Sequence, residues 1–140
     1  MSEDGARLAK AATALIGVPF RLHGRNPLTG LDCVGLVAAS LEAIGIQPSA
    51  PRGYHMRNAS IEQWLDCARR SGLEPSDDQS RIGDIVLVAP GPGQSHLLIV
   101  DSPKSVIHAH AGLRRVVCQP LDHSLKPNSS WRVMPRPKDT

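Results

Sequence analysis

The sequence predicts an α+β domain, with helices in its N-terminal half packed on a mostly antiparallel sheet. Hydrophobic residues recur at helical spacing through the first half and change to strand-like runs from Ile82 onward. Those runs follow one another through short turn-rich connections with no helix between them, which favours antiparallel over parallel pairing. At 140 residues the chain can bury one core, so residues 1–140 are read as a single domain with a frayed tail from about residue 135.

The first helix is expected over residues 3–16, with Leu8, Ala12 and Leu15 on one face and Gly17 and Pro19 ending it. Residues 18–29 carry Pro19, Gly24 and Pro27 among Arg21, His23 and Arg25, and read as an irregular basic loop. Asp32 is a good N-cap, and Val34, Val37, Ala38 and Leu41 then recur at i, i+3, i+4 and i+7 before Gly45 stops the helix. A connector with Pro48, Pro51 and Gly53 leads to Ser60-Ile61-Glu62-Gln63, a capping-box signature. Ile61, Trp64, Leu65 and Ala68 form the apolar stripe of the helix it opens, flanked by Cys67 and closed by Gly72. Strands are expected at 84–88, 96–100, 105–109, 114–119 and 131–134, with a turn at 101–104.

The chemistry centres on Cys33, which falls in the first turn of the Asp32-capped helix. Free N–H groups and the positive end of the helix dipole favour a thiolate there, and a thiolate beside a base is a nucleophile. A lone cysteine at such a position is more often just a small packed residue, so neighbours decide. Pairing across the 101–104 turn sets where the histidines stand. A loop centred on Ser102 places His96 directly opposite His108, Cβ atoms ~5 Å apart, whereas a two-residue turn at Ser102-Pro103 puts them on opposite faces. In the first case one imidazole serves as base and the other orients it, with His110 as rival for either role. His23, His55 and His123 read as exposed loop residues, and Cys67 and Cys118 as core.

Composition narrows the classes. Hydrophobic residues make up 41% and charged residues 21%, ordinary for a globular protein, while 3% aromatics supply few stacking platforms for bases. A net charge of +3 is far from a nucleic-acid footprint, and no partner of that kind is expected. The three cysteines are widely spaced without a CxxC pair, which suggests neither a zinc ribbon nor a disulfide framework. An acidic start without a long apolar run argues against a signal peptide or membrane insertion, so synthesis in the cytoplasm is expected.

Asp32-Cys33-x-Gly35-Leu36-Val37, then Gly83-Asp84, His96 and Ile107-His108-Ala109, resembles the NlpC/P60 cysteine peptidases over about residues 12–135. The resemblance implies a papain-like α+β fold. It makes Cys33 the nucleophile, His96 the general base and His108 the orienting residue, with no cofactor and no metal. It also implies bacterial peptidoglycan as partner, cut in its stem peptides after γ-D-glutamate. Phe20, Arg21, His23, Asp32 and His110 are the candidates for substrate or oxyanion contacts. Two positions depart from the pattern. Val34 replaces a common Ser, and Phe20 replaces the usual Tyr whose hydroxyl points into the site, a loss that can cost ~3 kcal/mol if a donor disappears. Pro51-x-x-Tyr54 and the elements after it look like small members from phage tail modules and gene transfer agents. That implies other tail or particle proteins as partners and action outside the cell in a phage-like particle. Three alternatives stand beside this reading: a particle component that has lost turnover, a secreted amidase toxin, and a zinc protein using His96, His108 and His110.

Overall fold

A computed structural model describes residues 3–47, 70–76, 81–88, 96–120 and 127–133. Helix α1 (Glu3–Thr13) and helix α2 (Cys33–Ala43) flank a short antiparallel pair, β1 (Arg25–Asn26) and β2 (Gly30–Leu31). The main sheet contains β3 (Leu73–Pro75), β4 (Ile85–Val88), β5 (His96–Ser102), β6 (Ser105–His110), β7 (Arg115–Pro120) and β8 (Pro127–Val133). Its order is β3-β8-β4-β5-β6-β7 and every neighbouring pair is antiparallel, so the α+β expectation holds. The helix expected over 60–72, together with Tyr54, His55, Cys67, His123 and the tail, lies outside the described residues, apart from the helical Arg70.

Helix α2 begins and ends as its sequence dictates. The Asp32 carboxylate accepts the Gly35 N–H at 2.8 Å, and Gly45 adopts φ +84° just past the C-terminus. There the Ile46 N–H reaches the Leu41 carbonyl at 2.9 Å and the Gly45 N–H reaches Glu42 at 3.0 Å, the paired bonds of a Schellman ending. Its buried surface is wider than the single stripe expected. Leu36 is fully buried alongside Val34, Val37 and Leu41, because α2 packs between the sheet, α1 and the 18–31 segment.

Strand alternation sorts the sheet into two faces. Ile85, Leu87, Leu97, Ile99, Ile107 and Ala109 face the helices and join Leu8, Ala12, Leu36 and Trp131 in the main core. Each large side chain so buried contributes about 1.5–3 kcal/mol. Val86, Val88, Leu98, Val100 and Val106 form a second buried cluster on the opposite face.

Three local differences from the sequence reading have physical causes. The 18–29 loop is partly ordered, since β1–β2 pair and Phe20 and Pro19 bridge to Leu31 and Arg115. The short strand β3 was not foreseen, because three residues reading Leu-Glu-Pro carry no periodicity. Cys118 is exposed rather than core, because β7 is an edge strand, covered on one side only.

Candidate active site

Asp32 organises the approach to the site. It is fully buried, and its oxygens accept the Gly35 N–H, the His23 N–H at 2.8 Å and the Arg25 guanidinium at 3.0 Å. These bonds tie the loop before α2 to its first turn. Gly24 and Gly35 let the two segments touch, since a Cβ on Gly35 would collide with the Gly24 carbonyl. Asp32 was a candidate substrate contact; its carboxylate is instead turned into the chain, and it positions the helix that begins with Cys33. His23 is held with φ +62°, a conformation uncommon for a residue with a side chain, and both His23 and Arg21 are exposed. Phe20 packs partly buried against the core, with its N–H bonded to the Arg114 carbonyl at 2.9 Å.

Cys33 follows Asp32 with 4% of its surface exposed. The backbone N–H groups of Leu97, Val34 and Cys33 itself stabilise a thiolate, as a helix N-terminus should. Burial outweighs them, and with the Asp32 charge behind it the thiol is pushed up to about 12. The expectation of a ready thiolate is therefore corrected: desolvation wins, and the resting group is a neutral thiol.

The Leu97 contact sets Cys33 beside β5 at the residue after His96. His96 and His108 are brought together, Nε2 to Nδ1 at 2.7 Å, with rings edge-on at 4.9 Å between centroids. They meet by a register that neither anticipated loop provides. Ile99 pairs with Ile107 and Val100 with Val106, followed by an irregularity before Ser102–Ser105. Extending that register sets His108 opposite Leu98, so the imidazoles meet diagonally on one face, within reach of long side chains. The irregularity near the turn moves the pairing by two positions and keeps the parity that counting from a symmetric loop supplied.

Burial and the neighbouring imidazoles lower His96 to about 4, so it is a neutral base at pH 7. His108 is 6% exposed and is also shifted down by burial, an effect opposed by the Gln119 side chain on β7. Its Nε2 is buried without a hydrogen-bond partner. His110 packs its ring 5.3 Å from that of His108 and accepts the Leu113 N–H at 3.1 Å, which commits one nitrogen to the β6–β7 turn. Among the described residues, no hydrogen bond joins the Cys33 thiol to an imidazole, and no group of three or more His, Cys, Asp or Glu could hold a metal. No helix among them is long and apolar enough to cross a membrane.

Sequence reasoning did not single out Gln119. Its signal was available only through register, since β6–β7 pairing sets Gln119 opposite Val106 and diagonal to His108.

The arrangement can support thiol chemistry: a desolvated cysteine at a helix start, an imidazole base next along the strand it touches, and a second imidazole fixing the first. The NlpC/P60 family model matches residues 17–134. NlpC2 from Trichomonas vaginalis is similar in structure, with TM-score 0.70 and 18% identity over 94% of this chain and 49% of that one. The NlpC/p60 domain of the peptidoglycan hydrolase SagA has TM-score 0.62 and 22% identity over 92% of this chain and 98% of that domain. The peptidoglycan hydrolase RipB from Mycobacterium tuberculosis has TM-score 0.64 and 18% identity, covering 96% and 66%. The chain thus spans about half the length of NlpC2 and nearly all of the SagA domain. No curated protein matches it in sequence. On the family match, which covers most of its length and includes Cys33, His96 and His108, the chain belongs to the NlpC/P60 family, whose members are cysteine peptidases and amidases.

Proposed function

We propose that the chain is a peptidoglycan stem-peptide hydrolase in which Cys33 is the nucleophile, His96 the general base and His108 the residue that orients the base. The observation that carries this reading is the His96–His108 pair at 2.7 Å on the strand whose next N–H touches the Cys33 thiol. With Nε2 of His96 engaged by His108, Nδ1 is the nitrogen left for the thiol. His96 Nδ1 takes the thiol proton as Sγ attacks the scissile carbonyl, and passes it to the leaving amine as the C–N bond breaks. Water, deprotonated by the same nitrogen, then cleaves the thioester and restores the thiol. Because both groups rest neutral, the proton moves during attack, when substrate closes the distance that unliganded sites often leave long. Backbone N–H groups at the start of α2 are placed to stabilise the oxyanion.

The bond proposed is that between D-glutamate and the diamino acid. The biological setting proposed is a phage-tail or gene-transfer-agent particle that carries the protein to the wall, with other tail proteins as partners. Phe20 and the neutral resting thiol favour one second reading, a particle component whose turnover is weakened. Mass spectrometry of purified wall fragments after incubation separates the two. New termini at the D-glutamyl bond support the hydrolase, and unaltered fragments support the weakened component.

A further inference from the structure

The contact between His96 Nε2 and His108 Nδ1 can hold its proton in two ways, and only one of them leaves His96 able to act. If His108 Nδ1 carries the proton, His96 must carry its own on Nδ1, the nitrogen that His108 leaves for the thiol, and it cannot accept another. If His96 Nε2 carries it, Nδ1 has a free lone pair and His108 is protonated on Nε2. The state of the base is therefore decided at the far side of His108. That nitrogen is buried, on a residue 6% exposed; it meets no hydrogen bond of full geometry, and the Gln119 side chain is near enough to act on the ring. Strand β7 lies on that side. Its register sets the uncharged Val117 opposite His108 and Gln119 one diagonal step away on the same face.

We infer that Gln119 is a positioning residue for this reaction: its side-chain carbonyl accepts the Nε2–H of His108 and so keeps the proton of the histidine pair on His96 Nε2. This deepens the hydrolase reading and rests on it. An amide can present either an oxygen or an NH2 group, so the acceptor role is distinguishable by substitution. Gln119→Glu keeps an acceptor and cannot donate when ionised; Gln119→Leu keeps the bulk and provides neither. Position 119 is partly exposed on an edge strand, where both changes are tolerated, and thermal melts verify folding.

The test is long-range 15N–1H correlation of the histidine rings in the full-length protein, with kcat and KM on a stem peptide measured alongside. The expected result is Nε2–H on His108 in the unmodified protein and in Gln119→Glu, and loss of that preference in Gln119→Leu. The kcat of Gln119→Leu should fall on the order of tenfold or more with KM little changed, since a misplaced tautomer removes the base without removing substrate contacts. Gln119→Glu should retain most of kcat. A His108 ring already protonated on Nδ1, or one that keeps Nε2–H in Gln119→Leu, overturns the proposal. The tautomer is read on the resting protein, so failure of the chain to cleave wall fragments would count against the hydrolase reading separately.

Discussion

At the scale of single residues, burial sets the protonation of Cys33 and His96, and both leave measurable signatures. Cys33 is raised from 9.0 to about 12, so folding favours its neutral form; the resulting stability is complete below pH 9 and is lost as pH rises toward 12. His96 is lowered from 6.5 to about 4, so its contribution is complete above pH 6.5 and is lost as pH falls toward 4. For His96 that shift amounts to roughly 3 kcal/mol. Thermal melts of the unmodified protein should therefore fall between pH 6.5 and 4, and His96→Phe should flatten that slope; an unchanged slope would mean that His96 is not buried neutral. Asp32 raises the Cys33 thiol while capping its helix. Asp32→Asn keeps a good cap and removes the charge, so the pH at which Cys33 becomes alkylatable should drop. That measurement needs Cys118→Ser and Cys67→Ser, since the exposed Cys118 reacts first in the native chain. Neither replacement should affect turnover, whereas Cys33→Ala should abolish it.

Among elements, the β5–β6 hairpin and the β4–β8 pair do the positioning. Asp84 opens β4 fully buried and holds Arg132 of β8 through two bonds of 2.9 Å, with the Arg81 N–H as a third partner. Removing one side of such a pair leaves a buried charge, so Asp84→Ala should cost about 3 kcal/mol in a denaturant titration, and Arg132→Met at least as much, because it orphans the more deeply buried Asp84 carboxylate. A loss under 1 kcal/mol in Asp84→Ala would show that the pair is solvated. How much of this was legible depended on range. The Asp32 cap, the Gly45 stop and the strand runs are local chemistry, and the structure reproduces them. The insertion of β8 between β3 and β4, and the partner of Asp84, depend on contacts 48 residues apart in the chain and leave no periodic trace. The hairpin register lay between these cases. One of the two loops considered put both histidines on one face and the other did not; the irregularity beside Ser102 keeps them on one face and shifts the pairing from opposite to diagonal. Thiolate formation at Cys33 could not be settled from sequence, because it balances a helix terminus, which sequence shows, against burial, which it does not.

For the whole molecule, one layer of helices covers the face of the sheet that carries Leu97 and Ile107, while the histidine pair stands on the other. The Cys33 thiol touches the Leu97 backbone at the start of β5, one residue along from His96. A site assembled this way depends on β5 and β6 staying in register. His96→Ala should therefore cost nearly as much activity as Cys33→Ala, His108→Gln less than His108→Ala, and His110→Ala least, because His110 is held by its own turn. A chelator should leave turnover unchanged, since the proposed chemistry runs on a thiol and two imidazoles. The central claim is that a thioester forms on Cys33 during turnover. Intact-protein and peptide mass spectrometry of samples quenched in acid, taken while the chain turns over a stem peptide, tests it directly. The account predicts an added acyl mass that maps to the peptide containing Cys33, accumulates in the unmodified protein and is missing in Cys33→Ala. Cleavage that proceeds without such an adduct in Cys33→Ala, or an adduct that maps to Cys67 or Cys118, would contradict it.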